Sequence, residues 1–257
     1  MSPLTQVPRH GDVLPAAQPA DPAPDLHALR ARFEALERPR LRHGLRGMVW
    51  ELCGRVGHAL FRRQPPPILH PSGLRLLHLG CGATRFEGWV NADFYRLHEL
   101  LPGRRARADW FLDLGKPFAC PDDHWDGVFL EHVNEHLLYT QNLDLAREVL
   151  RVLKPGGVLR VVAPSLARYL EWERLRGEQP KMARYGSLPE ALSNLTQNHL
   201  HASVWDPALM TELLQAVGFT AVAETEFGQS RLPALAQDGE SHRWESLYVE
   251  GSKAVRP

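Results

Sequence analysis

Apolar residues recur along this chain with two different periods. Short continuous runs of strand length stand at Arg75–Leu79, Val90–Ala92, Gly127–Leu130 and Val158–Ala163, with a less marked one near Arg107–Trp110. Helical spacing marks Leu26, Leu29, Phe33 and Leu36 within Leu26–Glu37, and Leu143, Ala146, Leu150 and Leu153 within Gln141–Leu153. A further helix is predicted over Asp206–Val217, with Asp206 at its cap, Pro207 in its first turn and Gly218 at its end. Thr220–Thr225 and Ser246–Glu250 read as two last strands. Strands alternating with helices predict an α/β domain, a mostly parallel sheet with helices on both faces.

The N-terminal quarter reads differently. Residues 1–25 hold six prolines and few large apolar groups, which predicts a disordered leader. Residues 26–67 form an expected helical extension and linker, ending in the stiff Pro65-Pro66-Pro67. Its second helix, Leu45–Phe61, aligns Val49, Leu52, Val56 and Leu60, fringed by Arg46, Arg55, Arg62 and Arg63. Docking on the domain is the plainer reading, a basic surface for a membrane or an acidic partner the sharper one. Gly47, Gly54 and Gly57 weaken an isolated helix and favour docking. The main domain spans 68–257.

Composition narrows the class. Thirty basic and thirty acidic side chains balance, so no global field recruits nucleic acid. Three cysteines without a close pair argue against a disulfide framework or a zinc ribbon. No apolar run nears the roughly 20 residues of a membrane span, and no signal-peptide core is present. The expected compartment is the cytoplasm.

Chemistry concentrates in three places. Leu76–Leu79 runs into Gly80-Cys81-Gly82; Val90-Asn91-Ala92 ends in Asp93; and Lys154-Pro155-Gly156-Gly157 precedes the Val158 run. Glycines let a backbone turn and approach a ligand closely. A carboxylate at the tip of the next strand suits a ribose diol. Asp93 follows Gly82 by only eleven positions, short of the ~20 of a dinucleotide fold, and a pyrophosphate would want a full helix beneath it. These motifs, in this order with Asp126 and Glu131–Leu137 between them, resemble class I S-adenosylmethionine-dependent methyltransferases. They are closest to small bacterial predicted methyltransferases, over about Leu74–Gly251.

The resemblance implies a Rossmann-like methyltransferase sheet, mostly parallel with one antiparallel strand. It implies S-adenosylmethionine as cofactor, with Gly80, Cys81 and Gly82 under its methionine part and Asp93 on the ribose. Asp113 and Leu114 would border the adenine, and Leu130, Glu131 and His132 the reaction centre. His78 replaces an acid common in the family, and Thr84 a third glycine. Asp126 is expected to fix the start of its strand, and Lys154–Gly157 to be structural. Glu131, His132 and His136 are the candidate general bases. His132-x-x-Glu135-His136 also reads as an inverted zinc-hydrolase motif, if helical with a third ligand. Its position directly after a strand argues against that, and no metal is expected.

Residues 166–205 form an insertion holding Tyr169, Trp172, Tyr185, His199, His201 and Trp205. It reads either as the acceptor pocket or as a helical decoration with its own core. Arg231, in Gly228-Gln229-Ser230-Arg231, could meet an anionic acceptor or a surface carboxylate. The expected activity is methyl transfer to a small-molecule or glycan-precursor acceptor. The alternative is a cofactor-binding protein without turnover, acting as a partner or scaffold.

Overall fold

The computed structural model describes residues 24–36, 52, 56, 64–94, 108–197, 199 and 201–255. Almost all of the proline-rich leader lies outside them. So does the expected second helix apart from Leu52 and Val56, which are helical and exposed.

Among the described residues, seven strands form one sheet in the order β3-β2-β1-β4-β5-β7-β6. They are β1 (Leu76–Leu79), β2 (Val90–Asp93), β3 (Trp110–Phe111), β4 (Trp125–Glu131), β5 (Leu153–Pro164), β6 (Thr220–Glu224) and β7 (Ser246–Ser252). β1 to β5 run parallel, and β7 is antiparallel to both β5 and β6. The strand order reverses between β1 and β4. In an open α/β sheet that is where a crevice opens beyond the carboxyl ends of the strands.

Three helices, α1 (Leu26–Leu36), α2 (Tyr139–Val152) and α7 (Pro207–Val217), pack on one another and against the sheet. Their apolar stripes supply Leu29, Phe33, Leu143, Val149, Met210 and Leu213 to a core shared with Leu77, Leu79, Val128 and Leu130. Phe33 stacks on Tyr139 at 4.8 Å, and Arg32 meets Glu212 at 2.7 Å, so α1 is built into the domain. α2 begins two residues before the expected Gln141, because the Gln141 side chain accepts from the Leu138 amide at 2.9 Å and closes the first turn. α7 has Asp206 accepting from the Leu209 amide at 2.8 Å and Gly218 in the left-handed region.

The opposite face has no room for a helix between β1 and β2. Phe86 and Trp89 of that short connection fill the space, packing with Phe129. Leu232 and Leu235 of the β6–β7 connection complete the layer. β5 starts earlier than the Val158 run, at Leu153, but its register jumps: Trp125 faces Leu153 and Gly127 faces Val158. Lys154–Gly157 therefore bulges, as a proline without an amide donor requires. The insertion folds into four short helices, α3 (Leu166–Leu170), α4 (Trp172–Leu175), α5 (Pro180–Ala183) and α6 (Leu188–Gln197). They enclose a separate core of Tyr169, Trp172, Leu175, Met182, Leu195 and Trp244. No helix among the described residues is long and apolar enough to cross a membrane.

Candidate functional site

Parallel pairing brings the carboxyl ends of β1, β2 and β4 into line: Leu79 sits beside both Ala92 and Leu130. The next residues of each strand, Gly80, Asp93 and Glu131, thus share one edge. Gly80 has φ 67°, and a Cβ there would run into a Val133 methyl, so the glycine lets the turn close on the loop after β4. Gly82 also has positive φ, but the atom nearest its Cβ position is its own turn's Gly80 carbonyl at 4.0 Å. That backbone is open to a ligand. Cys81 is buried, its amide donating to the Ala92 carbonyl at 3.0 Å.

The Asp93 carboxylate accepts from the Gly82 amide at 2.8 Å and the Phe94 amide at 2.6 Å. A carboxylate offers about four lone-pair sites, so bracing the turn is compatible with accepting a diol. The Leu112 amide donates to the Asp93 carbonyl at 2.9 Å, which carries Asp113 and Leu114 to the same edge. Asp113 holds its local turn through the Gly115 amide at 3.0 Å. The Leu130 side chain is fully in the core, leaving only its backbone to face the crevice.

Several residues have other duties. Asp126 lies at the opposite end of β4, where it accepts from the Arg75 amide at 2.8 Å and pairs with Lys154 at 2.7 Å, anchoring the strand start as expected. His78 is buried on Phe86 at 4.5 Å; burial lowers its imidazole to about 4, against a bond to Asn91, and keeps it neutral. The Arg231 guanidinium donates to the Ala221 carbonyl and pairs with no carboxylate among the described residues.

Beyond the edge of β4 the chain turns through His132, at φ 52°, into a 3-10 turn over Asn134–His136. The α-helical spacing on which the zinc-hydrolase reading depends is not formed. Both imidazoles keep Glu135 Oε1 as a neighbour, His132 Nδ1 at 3.4 Å and His136 Nε2 at 3.9 Å, but their rings pack on different partners. The His132 ring lies tilted against His242 at 4.0 Å, its Nε2 3.1 Å from Ser246 Oγ, whereas His136 packs against His201 at 5.2 Å. Glu131 accepts from the Gly239 amide at 2.7 Å; burial raises its carboxyl in spite of that bond. Burial, then the neighbouring His242, lowers His132 to about 3. Burial would also raise Glu245, but hydrogen bonds from His242 and Tyr169 outweigh it and hold the carboxyl low. Glu135 is the contrary case. Its carboxylate is almost wholly buried, burial raises it to about 8, and neither oxygen has a hydrogen-bond partner among the described residues.

Gly239, His242 and Glu245 carry no periodicity or motif that sequence could flag. A buried Arg160 places them. It pairs with Asp238 at 2.5 Å and Glu250 at 3.0 Å and donates to the Glu226 carbonyl, pinning the β6–β7 connection against Glu131 and His132.

Residues 104–161 match a family model described as a methyltransferase domain. Among solved structures, the chain is similar to an S-adenosylmethionine-dependent methyltransferase from Archaeoglobus fulgidus (17% identity, 79% of this chain and 94% of that one, TM-score 0.44). It is also similar to one from Mesorhizobium loti (20% identity, 73% and 93%, TM-score 0.45). At that level neither bears on what this chain acts upon. No curated protein matches. The matched segment, residues 104–161, runs through β3 and β4 into β5 of this open α/β sheet, and a methyltransferase domain of this kind takes S-adenosylmethionine as its cofactor. The residues fit that cofactor: Gly82 is open, Asp93 stands at the tip of β2, and no helix N-terminus follows the turn for a pyrophosphate.

Proposed function

We propose that the crevice between β1 and β4 is the site of methyl transfer to a small-molecule or glycan-precursor acceptor. The observation that carries this reading is the convergence of Gly80–Gly82, Asp93 and Glu131–His132 on one sheet edge. Gly80, Cys81 and Gly82 underlie the methionine part of the cofactor, and Asp93 accepts from the ribose hydroxyls. Asp113 and the Leu114 amide receive the adenine, and the Leu130 backbone borders the methionine end. When bound, S-adenosylmethionine supplies an electrophilic sulfonium methyl. The chain's part is to align an acceptor, exclude water and, for a hydroxyl acceptor, take its proton.

Glu131 is the first choice of base, because a partly buried carboxyl above its ordinary range is better matched to neutral pH. His132 orients it or the acceptor from within the His242–Glu245 cluster. His136 lines the outer edge. The insertion closes the acceptor side, an assignment supported by Tyr169 donating to Glu245 at 2.6 Å and by the contact of His136 with His201.

Calorimetry with S-adenosylmethionine and S-adenosylhomocysteine tests the cofactor residues. Asp93→Ala should weaken both by about 1–2 kcal/mol, the worth of hydrogen bonds to a charged group. Unchanged affinity would remove Asp93 from the site. A methyl-labelled cofactor screened against fractionated metabolites tests the acceptor class. Binding without any labelled product across all fractions would favour the partner or scaffold reading.

A further inference from the structure

We propose that Glu135, His136 and His201 form a binding site for a divalent metal ion of the zinc class at the rim of the crevice. One ligand atom from each lies within 4.8 Å of the other two. A tetrahedral zinc ion sets such atoms about 3.3 Å apart, so a small inward movement of the exposed His136 completes the set. The carboxylate carries the argument. Glu135 is 1% exposed and both its oxygens lack a hydrogen-bond donor among the described residues. Buried polar groups in native proteins are otherwise satisfied, and a buried carboxylate left alone is costly. His132 Nδ1 reaches Glu135 Oε1 only at 3.4 Å, and Oε2 has no partner among the described residues; a cation held by Glu135, His136 and His201 would satisfy it.

The surroundings are arranged as a metal site requires. His201 Nδ1 lies 2.6 Å from the Leu195 carbonyl, and donating there presents Nε2 as the lone-pair nitrogen, the way ligating histidines are oriented. The Glu135 carbonyl accepts from the amides of Ala202 at 2.6 Å and Ser203 at 3.1 Å, so the two ligand segments are tied together through their backbones. Ser203 Oγ bonds the Asn134 and Leu137 carbonyls at 3.0 and 2.8 Å, fixing the 3-10 turn from the same side. Two imidazoles and one carboxylate suit zinc and its neighbours and exclude magnesium or calcium as the preferred ion. Three protein ligands leave one position, on the exposed His136 side, for water or an oxygen of the acceptor. That last role rests on the methyl-transfer reading; the binding of the ion does not. The expectation of no metal arose from His132 and His136 as a pair, whereas the fold pairs His136 with a residue 65 positions on.

The test uses the full chain, purified without an affinity tag and dialysed against chelator, then titrated with zinc by calorimetry and with cobalt by visible absorption. One equivalent should bind, with the cobalt spectrum of a low-coordinate N,O site. Glu135→Gln, His136→Ala and His201→Ala should each weaken zinc at least about a hundredfold, beyond the 10–100-fold typical of outer-shell changes. His242→Ala should leave zinc affinity within threefold. Circular dichroism of the exposed His136→Ala variant separates ligand loss from unfolding. No binding by the wild-type chain overturns the proposal, and so does loss on His242→Ala but not on His201→Ala. S-adenosylmethionine affinity, measured with and without chelator, reports separately on the methyltransferase site.

Discussion

A histidine buried in the layer beneath the Gly80–Gly82 turn must be carried neutral, and His78 is one. Its ring stacks on Phe86, meets the edge of Phe129 and reaches Asn91 at 3.4 Å. Burial lowers it to about 4, whereas the unfolded chain titrates it near 6.5. Between those values the unfolded state binds more protons, so stability falls as pH drops from 6.5 through 4. The slope from this one group is at most about 1.4 kcal/mol per pH unit, near 3 kcal/mol in all. His78→Gln, which keeps a partner for Asn91, should flatten the stability profile between pH 6.5 and 4 in urea unfolding. An unchanged slope would show that the ring titrates as freely in the native state as in the unfolded one.

At the scale of the element, the two glycines of the β1 turn serve different ends and should fail differently. Gly80→Ala places a methyl against Val133 in a left-handed backbone, costing about 1–3 kcal/mol of stability as well as cofactor affinity. Gly82→Ala meets open space, so its stability cost should stay near 1 kcal/mol while the new methyl obstructs the ligand. Thermal melting beside calorimetry separates the two, and equal stability losses would contradict the distinction. α7 gives a simpler case. Asp206→Ala removes the cap on the Leu209 amide and should cost about 1 kcal/mol in denaturant unfolding.

At the scale of the whole molecule, the site depends on an ion network far from any motif. Arg160 is fully buried between Asp238 and Glu250, and the same segment sends Gly239 to Glu131 and His242 to His132. Arg160→Met leaves two carboxylates buried without their cation and should cost about 3–5 kcal/mol. Adding Asp238→Asn and Glu250→Gln should recover part of that loss, because the penalty lies in stranded charge. Failure of the triple variant to recover any stability would assign the cost to packing instead.

The β1–β5 alternation, the Asp206–Gly218 helix and the pairing of Gly80–Gly82 with Asp93 were legible because each is written in neighbouring residues. A strand shows its period within five positions, a capped helix within twelve, and a glycine turn within three. The short Gly82–Asp93 interval left room for barely one turn of helix beneath the turn, and Phe86 and Trp89 fill that space. Boundaries were less secure: Gln141 capping α2 from inside and Pro155 bulging β5 moved two of them by side-chain and ladder bonds that periodicity does not register. On the side proposed for the acceptor, nothing beyond Glu131 and His132 could be read. Which imidazole meets which depends on contacts across 65 to 110 positions, set by Arg160 and by the amides of Ala202 and Ser203. The linear His132-x-x-Glu135-His136 spacing suggested one metal set, whereas the tertiary fold brings His136 to His201 and His132 to His242, because a 3-10 turn after a strand points successive side chains to different neighbours. Local sequence determined the sheet and the Gly80–Gly82 turn; the partners of the histidines and buried carboxylates were decided only by long-range packing, where desolvation makes each unpaired group costly.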